Sequence, residues 1–176
     1  MRFRFKLVDA DPEAVDIWSL PESYVAPGEV LLTADARCIT TLLGSCVAIA
    51  FHCPRPRLSA LCHALLPSAQ RWGARPQAGK FRFVDQAVLE MAQAFERHGI
   101  EREQIQVKIF GGAHVLRCDS TASFDVGLKN IEEAERSLAA LGFTVKARAV
   151  GGERGRKVHF NTVSGEVLVR SLGMAA

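Results

Sequence analysis

Cys46 and His63 are the residues of this chain whose types and spacing offer chemistry. Cys46 closes the run Thr40-Thr41-Leu42-Leu43-Gly44-Ser45-Cys46, and His63 follows seventeen residues later in Leu61-Cys62-His63-Ala64. A free thiol titrates near pH 8.5, and an adjacent imidazolium lowers that value to about 3.5–7.5. The thiolate then attacks an amide or ester carbonyl while the histidine proton goes to the departing amine. A threonine hydroxyl or a carbonyl on the other ring nitrogen would fix the tautomer. Thr40, six residues before Cys46, is placed to approach that side. The Gly44-Ser45 turn would aim backbone N–H groups at the developing oxyanion, with Gly44 sterically permissive. An inert reading stands beside this one: a cysteine in an apolar strand serves as a small hydrophobe, and a lone buried histidine as a satisfied core residue.

Whether the two side chains meet depends on a hairpin. Cys46–Cys53 is a continuous apolar run of strand length, as expected of a strand covered on both faces. Leu58–Leu66 is a second such run, and Pro54-Arg55-Pro56-Arg57 separates them. With the turn centred between Arg55 and Pro56, Cys46 stands opposite Leu65 and His63 becomes its diagonal neighbour on the same face. Diagonal Cβ atoms lie roughly 7–8 Å apart or less. A register shifted by one residue would put the pair on opposite faces.

The remaining pattern predicts one α/β (α+β) domain over residues 27–173, built of short strands and helices. Residues 1–26 read as an extension without an assigned role, interrupted by Pro12 and Pro21 and ended by Pro27. Strands are expected at Glu29–Thr33 and Arg37–Thr41, and a polar, mobile loop at 68–80. A helix is expected from the helical spacing of Val84, Ala87, Val88, Met91, Ala92, Ala94 and Phe95, and stops at Gly99. A strand at Ile105–Phe110 precedes a second helix built on Leu128, Ile131, Ala134, Leu138 and Leu141, which ends at Gly142. Three strands follow, at Phe143–Val150, Arg156–Asn161 and Glu166–Leu172.

Composition narrows the function classes. Among 176 residues the formal charge is +3, and only Trp18, Trp72 and Tyr24 accompany ten phenylalanines, so no aromatic–basic stripe for nucleic acid is present. No apolar run approaches the roughly 20 residues of a membrane span, and no signal-peptide core follows Met1. Five cysteines, an odd number set mostly in apolar segments, fit a reducing cytoplasm rather than a disulfide framework. His52, Cys53, Cys62 and His63 flank the hairpin turn, but adjacent strand residues point to opposite faces, so they do not easily surround one metal ion. Gly111-Gly112 and Gly151-Gly152 read as tight turns, since neither has the spacing of a phosphate loop.

Several motifs together resemble a known family. They are Pro27-Gly28-Glu29, Thr40 through Leu43-Gly44-Ser45-Cys46-Val47, His63 with Leu65-Leu66-Pro67, and Lys108-Ile109-Phe110-Gly111-Gly112-Ala113. Val126-Gly127 with Asn130, Gly151-Gly152 with Gly155-Arg156-Lys157-Val158, and Gly165-Glu166-Val167-Leu168-Val169 continue the series. Over about residues 27–172 the chain resembles the chemoreceptor glutamine deamidases, the CheD family. It departs at His114-Val115, where the family often has a methionine two residues after Ala113. The resemblance implies hydrolysis of selected glutamine side chains on methyl-accepting chemotaxis receptors to glutamate. By position Cys46 would be the nucleophile, His63 the base and acid, and Thr40 the residue orienting His63. It also implies a single-domain α/β sandwich of mixed, largely antiparallel sheet flanked by two or three helices, no cofactor, and binding to a CheC-type phosphatase. The alternative from another class is a non-enzymatic adaptor that binds receptor or phosphatase and keeps Cys46 for packing.

Overall fold

The apolar runs pair as their patterning requires. The computed structural model describes residues 2–5 (backbone only), 15–69, 80–114 and 125–173. Most of the expected 68–80 loop, Trp72, Cys118 and Val115 lie outside the described residues. Two five-stranded sheets form. The first runs β1 (Arg2–Phe5), β10 (Val167–Ser171), β9 (Arg156–Asn161), β4 (Cys38–Leu43), β2 (Glu22–Tyr24). The second runs β3 (Val30–Thr33), β6 (Arg57–Ala64), β5 (Val47–Pro54), β7 (Gln106–Gly111), β8 (Val145–Val150). Both are mixed: β2 with β4 and β7 with β8 are parallel, and the other pairs are antiparallel. The expected α+β sandwich is therefore present.

Two helices, α1 (Val84–Arg97) and α2 (Val126–Ala140), pack on the outer face of the second sheet. There Val47, Ile49, Phe51, Cys53 and Cys62 meet Val84, Val88, Met91, Phe95 and Leu138. The opposite faces of β5 and β6 present Ala48, Ala50 and Leu61 to Ile39, Leu43, Val158, Phe160 and Val167 of the first sheet. Strand β5 is thus buried on both sides, which is why its sequence is apolar without alternation. Each large side chain so buried contributes about 1.5–3 kcal/mol, and this central position makes β5 and β6 the firmest part of the scaffold.

Two elements differ from the sequence reading. Arg2–Phe5 and Glu22–Tyr24 are strands of the first sheet, and Val25 is buried, so part of the 1–26 segment is built into the fold. A three-residue parallel edge strand just after Pro21 has no room for a readable alternation. On α2 the expected Ala134 and Leu138 are buried and Ile131 and Leu141 pack against the core, but Leu128 is 48% exposed, and Gly127, Asn130, Glu133 and Ser137 complete the buried face. The start of the helix lies close against the Gly112 turn: a Cβ on Gly127 would stand 2.6 Å from the Gly112 carbonyl oxygen.

At the end of the sandwich near Ser59, His52 and Lys108 are buried between the sheets. His52 Nδ1 lies 2.9 Å from Ser59 Oγ, and Lys108 Nζ donates to the Gly165 carbonyl at 2.6 Å. Burial, reinforced by the charges of Lys108 and Arg57, pushes the His52 imidazole down to about 4 from 6.5. The unfolded chain therefore binds more protons than the folded one between those values. The stability His52 contributes is present above pH 6.5 and is lost as pH falls through about 4. The expected loss is about 3 kcal/mol, read by urea denaturation at pH 7 and pH 4. His52→Gln should remove most of that pH dependence, and an unchanged slope in the variant would refute the assignment.

Candidate active site

Strand register brings Cys46 and His63 together. Ala48 pairs with His63 and Val47 with Ala64, so Cys46, one residue before β5, stands across from Leu65 with His63 on its diagonal. Both side chains lie on the face that looks toward the first sheet, shared by Ala48, Ala50 and Leu61. This is the expected hairpin geometry. Nearer the hairpin turn His52 shares this face, whereas Cys53 and Cys62 point into the helix-side core.

The backbone of His63 is held independently of β5. Gly28 N donates to His63 O at 2.8 Å, and His63 N donates to Glu29 O at 2.9 Å. The turn that makes both bonds is tied by Glu29 Oε2, which accepts from Ala26 N at 2.9 Å. The Pro27-Gly28-Glu29 motif therefore positions the histidine, a role its sequence did not disclose.

Thr41, not Thr40, is the threonine at the ring. Thr41 Oγ1 lies 2.8 Å from His63 Nδ1 and donates its own proton to Val25 O at 2.8 Å. With its hydrogen committed to Val25, the hydroxyl accepts from Nδ1–H, which leaves the lone pair on Nε2. His63 Nε2 is buried and has no hydrogen-bond partner among the described residues. Thr40, the expected orienting residue, faces the other side of β4, where its Oγ1 donates to Glu22 Oε1 at 2.7 Å. The correction follows from the strand's period of two: Ile39, Thr41 and Leu43 face the second sheet, and Thr40 cannot.

The resting pair is neutral. Burial raises the Cys46 thiol, with its own backbone N–H pulling it partly back down. Burial also lowers the His63 imidazole, opposed by a hydrogen bond to the Val25 backbone. A preformed thiolate–imidazolium pair, anticipated from the residue types, is disfavoured on both sides. What remains is a half-buried thiol on the diagonal of an imidazole whose Nε2 has no partner among the described residues and keeps a lone pair that can accept a proton.

The turn before Cys46 is fixed through its carbonyls. Gly44 O accepts from Ala113 N at 2.9 Å and Cys46 O from Gly112 N at 2.7 Å. Asn130 Nδ2 donates to Ser45 O at 3.0 Å and to Leu65 O at 2.9 Å. Arg156 spans the two sheets at this end by donating to the carbonyls of Ala149 and Gly151. His114, at the rim, has Nδ1 3.2 Å from Asp125 Oδ2 and donates its backbone N–H to Gly152 O at 2.7 Å. Asn130 and Arg156 were visible in the sequence only as motif members; no spacing rule links either to Cys46.

A second cysteine–histidine contact lies on the outer face of the first sheet, with Cys38 Sγ 3.9 Å from His159 Nδ1. Trp18 stacks edge-on against that histidine with ring centroids 4.9 Å apart. Burial, followed by the Glu22 carboxylate, pushes the Cys38 thiol up to about 11. Cys38 is buried while Cys46 is half-exposed, so of the two thiols Cys46 is the more accessible.

Fold and site define a two-sheet α+β sandwich with a cysteine–histidine pair at one end, its histidine held from the opposite sheet. A family model described as CheD chemotactic sensory transduction matches residues 65–171. A protein of Geobacter sulfurreducens named "Probable chemoreceptor glutamine deamidase CheD 2" is 42% identical over 154 residues, covering 87% of this chain and 91% of the relative. One of Oleidesulfovibrio alaskensis, named "Probable chemoreceptor glutamine deamidase CheD", is 39% identical, covering 94% of this chain and 79% of the relative. The chain belongs to the CheD family. Among solved structures it overlaps YlmD from Geobacillus stearothermophilus at TM-score 0.46 and 16% identity, over 80% of this chain and 58% of that one.

Proposed function

We propose that this protein hydrolyses the side-chain amide of selected glutamines on chemoreceptors, giving glutamate and ammonia. The observation that carries the reading is His63: Nδ1 tied to Thr41, Nε2 without a partner among the described residues, and Cys46 on its diagonal. The relatives' names supply the substrate class. Nε2 takes the Cys46 proton as Sγ bonds to the amide carbon, and the carbonyl electron pair moves to oxygen. The tetrahedral intermediate collapses, the C–N bond breaks, and His63 returns the proton to the leaving amine as ammonia. Water, deprotonated by Nε2, then adds to the thioester, and the C–S bond breaks to free glutamate and the Cys46 thiol. No metal or cofactor has a step in this sequence. We place the reaction in the cytoplasm and include a CheC-type phosphatase as a partner. Among the described residues no helix is long and apolar enough to cross a membrane.

The test is to incubate the protein with receptor cytoplasmic fragments. Each modified site should gain about 1 Da, with ammonia released in equal amount. Absence of conversion on every fragment, with tight binding retained, would replace this reading by the adaptor.

The orienting role is proposed for Thr41. Thr41→Val keeps the shape but removes the acceptor for Nδ1–H, and should lower kcat about 10- to 100-fold with the ring free to turn. Thr40→Val should stay within about 2-fold, since its hydroxyl serves Glu22. The reverse ranking in steady-state assays would restore Thr40 to the role.

A further inference from the structure

Asn130 is excluded from solvent on the buried stripe of α2, and its Nδ2 donates to Ser45 O and Leu65 O at 3.0 and 2.9 Å. Those carbonyls lie one step beyond the hairpin ladder, which starts at Val47 on β5 and ends at Ala64 on β6. Both neighbours are acceptors, so the amide must present its NH2 group; the flipped amide would set three oxygens against one another. Its Oδ1 is buried with no partner among the described residues. A packed helix thus holds an incompletely satisfied amide in place at the one point where it reaches the residue before Cys46. Gly127, whose lack of a side chain lets α2 approach the Gly112 carbonyl, brings Asn130 that close.

The consequence is geometric. In a trans peptide the Cys46 N–H points opposite to the Ser45 C=O, so holding that oxygen aims that N–H. The flanking carbonyls, Gly44 O and Cys46 O, are held by Ala113 N and Gly112 N, which prevents the turn from rotating as a unit. The Cys46 N–H lies close enough to Sγ to draw the thiol's titration down.

We propose that Asn130 is a positioning residue that sets the plane of the Ser45–Cys46 peptide and aims the Cys46 N–H at the oxyanion formed when the thiol adds to an amide carbonyl. The inference rests on the reading of Cys46 as the nucleophile. As the S–C bond forms, the thiol proton passes to His63 Nε2 and the carbonyl electron pair moves onto oxygen. That oxygen accepts from the Cys46 N–H, which the Asn130 bond to Ser45 O polarises through the peptide.

The test uses full-length Asn130→Ser and Asn130→Asp, with steady-state glutamine hydrolysis and iodoacetamide alkylation of Cys46 followed against pH. The expected result is a fall in kcat of about 10- to 100-fold with KM within about 2-fold. Alkylation should keep its wild-type rate and pH profile, because it forms no oxyanion. Unchanged kcat overturns the proposal, and so does alkylation that falls in step with kcat, which would mean that Cys46 had merely shifted. Should neither variant fold, the wild-type protein decides. A peptide carrying an aldehyde in place of the glutamine amide should form a hemithioacetal and move the Cys46 amide proton downfield in 15N NMR. An unmoved Cys46 amide overturns the proposal. Full hydrolysis by Cys46→Ala would instead refute the nucleophile itself, whereas a dead Cys46→Ala beside a normal Asn130→Ser refutes only the role of Asn130.

Discussion

Cys46→Ala is expected to abolish glutamine hydrolysis, lowering kcat by more than about 10³-fold, and Cys46→Ser to stay close to it. The reason lies in the neutral resting pair. Burial keeps the thiol above its ordinary 9.0 and the imidazole below its ordinary 6.5. Attack must therefore be concerted with proton transfer to Nε2, and a serine hydroxyl, far less acidic, gives up its proton much less readily. The same directions fix the pH profile. A lowered imidazole remains a free base down to below pH 6.5, so kcat/KM should fall only on the acid side of that value. The raised thiol ionises by itself only above 9.0, leaving a plateau between the two limbs. Full activity in Cys46→Ala would refute the thiol mechanism. An acid limb centred above about pH 7.5 would show instead that the thiolate must preform.

Gly111→Ala should be the most damaging single methyl in the protein. Gly111 has φ +102°, and a Cβ there would stand 2.2 Å from Cys46 O and 3.1 Å from Val47 Cα. Both contacts are to backbone at the start of a strand buried on both faces, so neither can swing aside. Strain from the backbone conformation costs about 1–3 kcal/mol, and overpacking about 1–3 more. The total, roughly 2–6 kcal/mol, is a large part of the roughly 5–15 kcal/mol by which a domain is stable. Gly99→Ala is the control: φ is +70°, but no atom lies within 4 Å of the added Cβ, so only about 1–2 kcal/mol is expected. Urea midpoints measure both. Equal losses would mean that the turn at Cys46 yields to accommodate the methyl.

The hairpin was legible in two apolar runs around Pro54–Arg57, but its register was only permitted by the sequence, since a shift of one residue would have put Cys46 and His63 on opposite faces. The strands and helices from residue 84 onward were legible by the same periodicities, apart from Leu128, which α2 leaves exposed. The threonine was not. Thr40 and Thr41 are adjacent in a strand buried on both faces, so composition gives no inside or outside. Only the packing of one sheet on the other decides which hydroxyl meets His63. Asn130 was hidden for a related reason, since its partners Ser45 and Leu65 are 85 and 65 residues away and are backbone atoms. The role of Glu22–Tyr24 was hidden by brevity, a three-residue parallel strand carrying too few positions to form a pattern.

The bond between Thr41 and His63 joins residues of different sheets, and this sets the order in which the chemistry matures. The thiol and the imidazole belong to one hairpin, whose two strands are both complete by residue 66. Strand β4, which carries Thr41, has β9 (Arg156–Asn161) as its long neighbour, with only three-residue β2 on its other side. The tautomer is therefore fixed only after Asn161 has been laid down. A nascent chain holds both reactive groups for most of its synthesis, yet its imidazole can still turn over. On the proposed mechanism, activity requires that the C-terminal strands have docked.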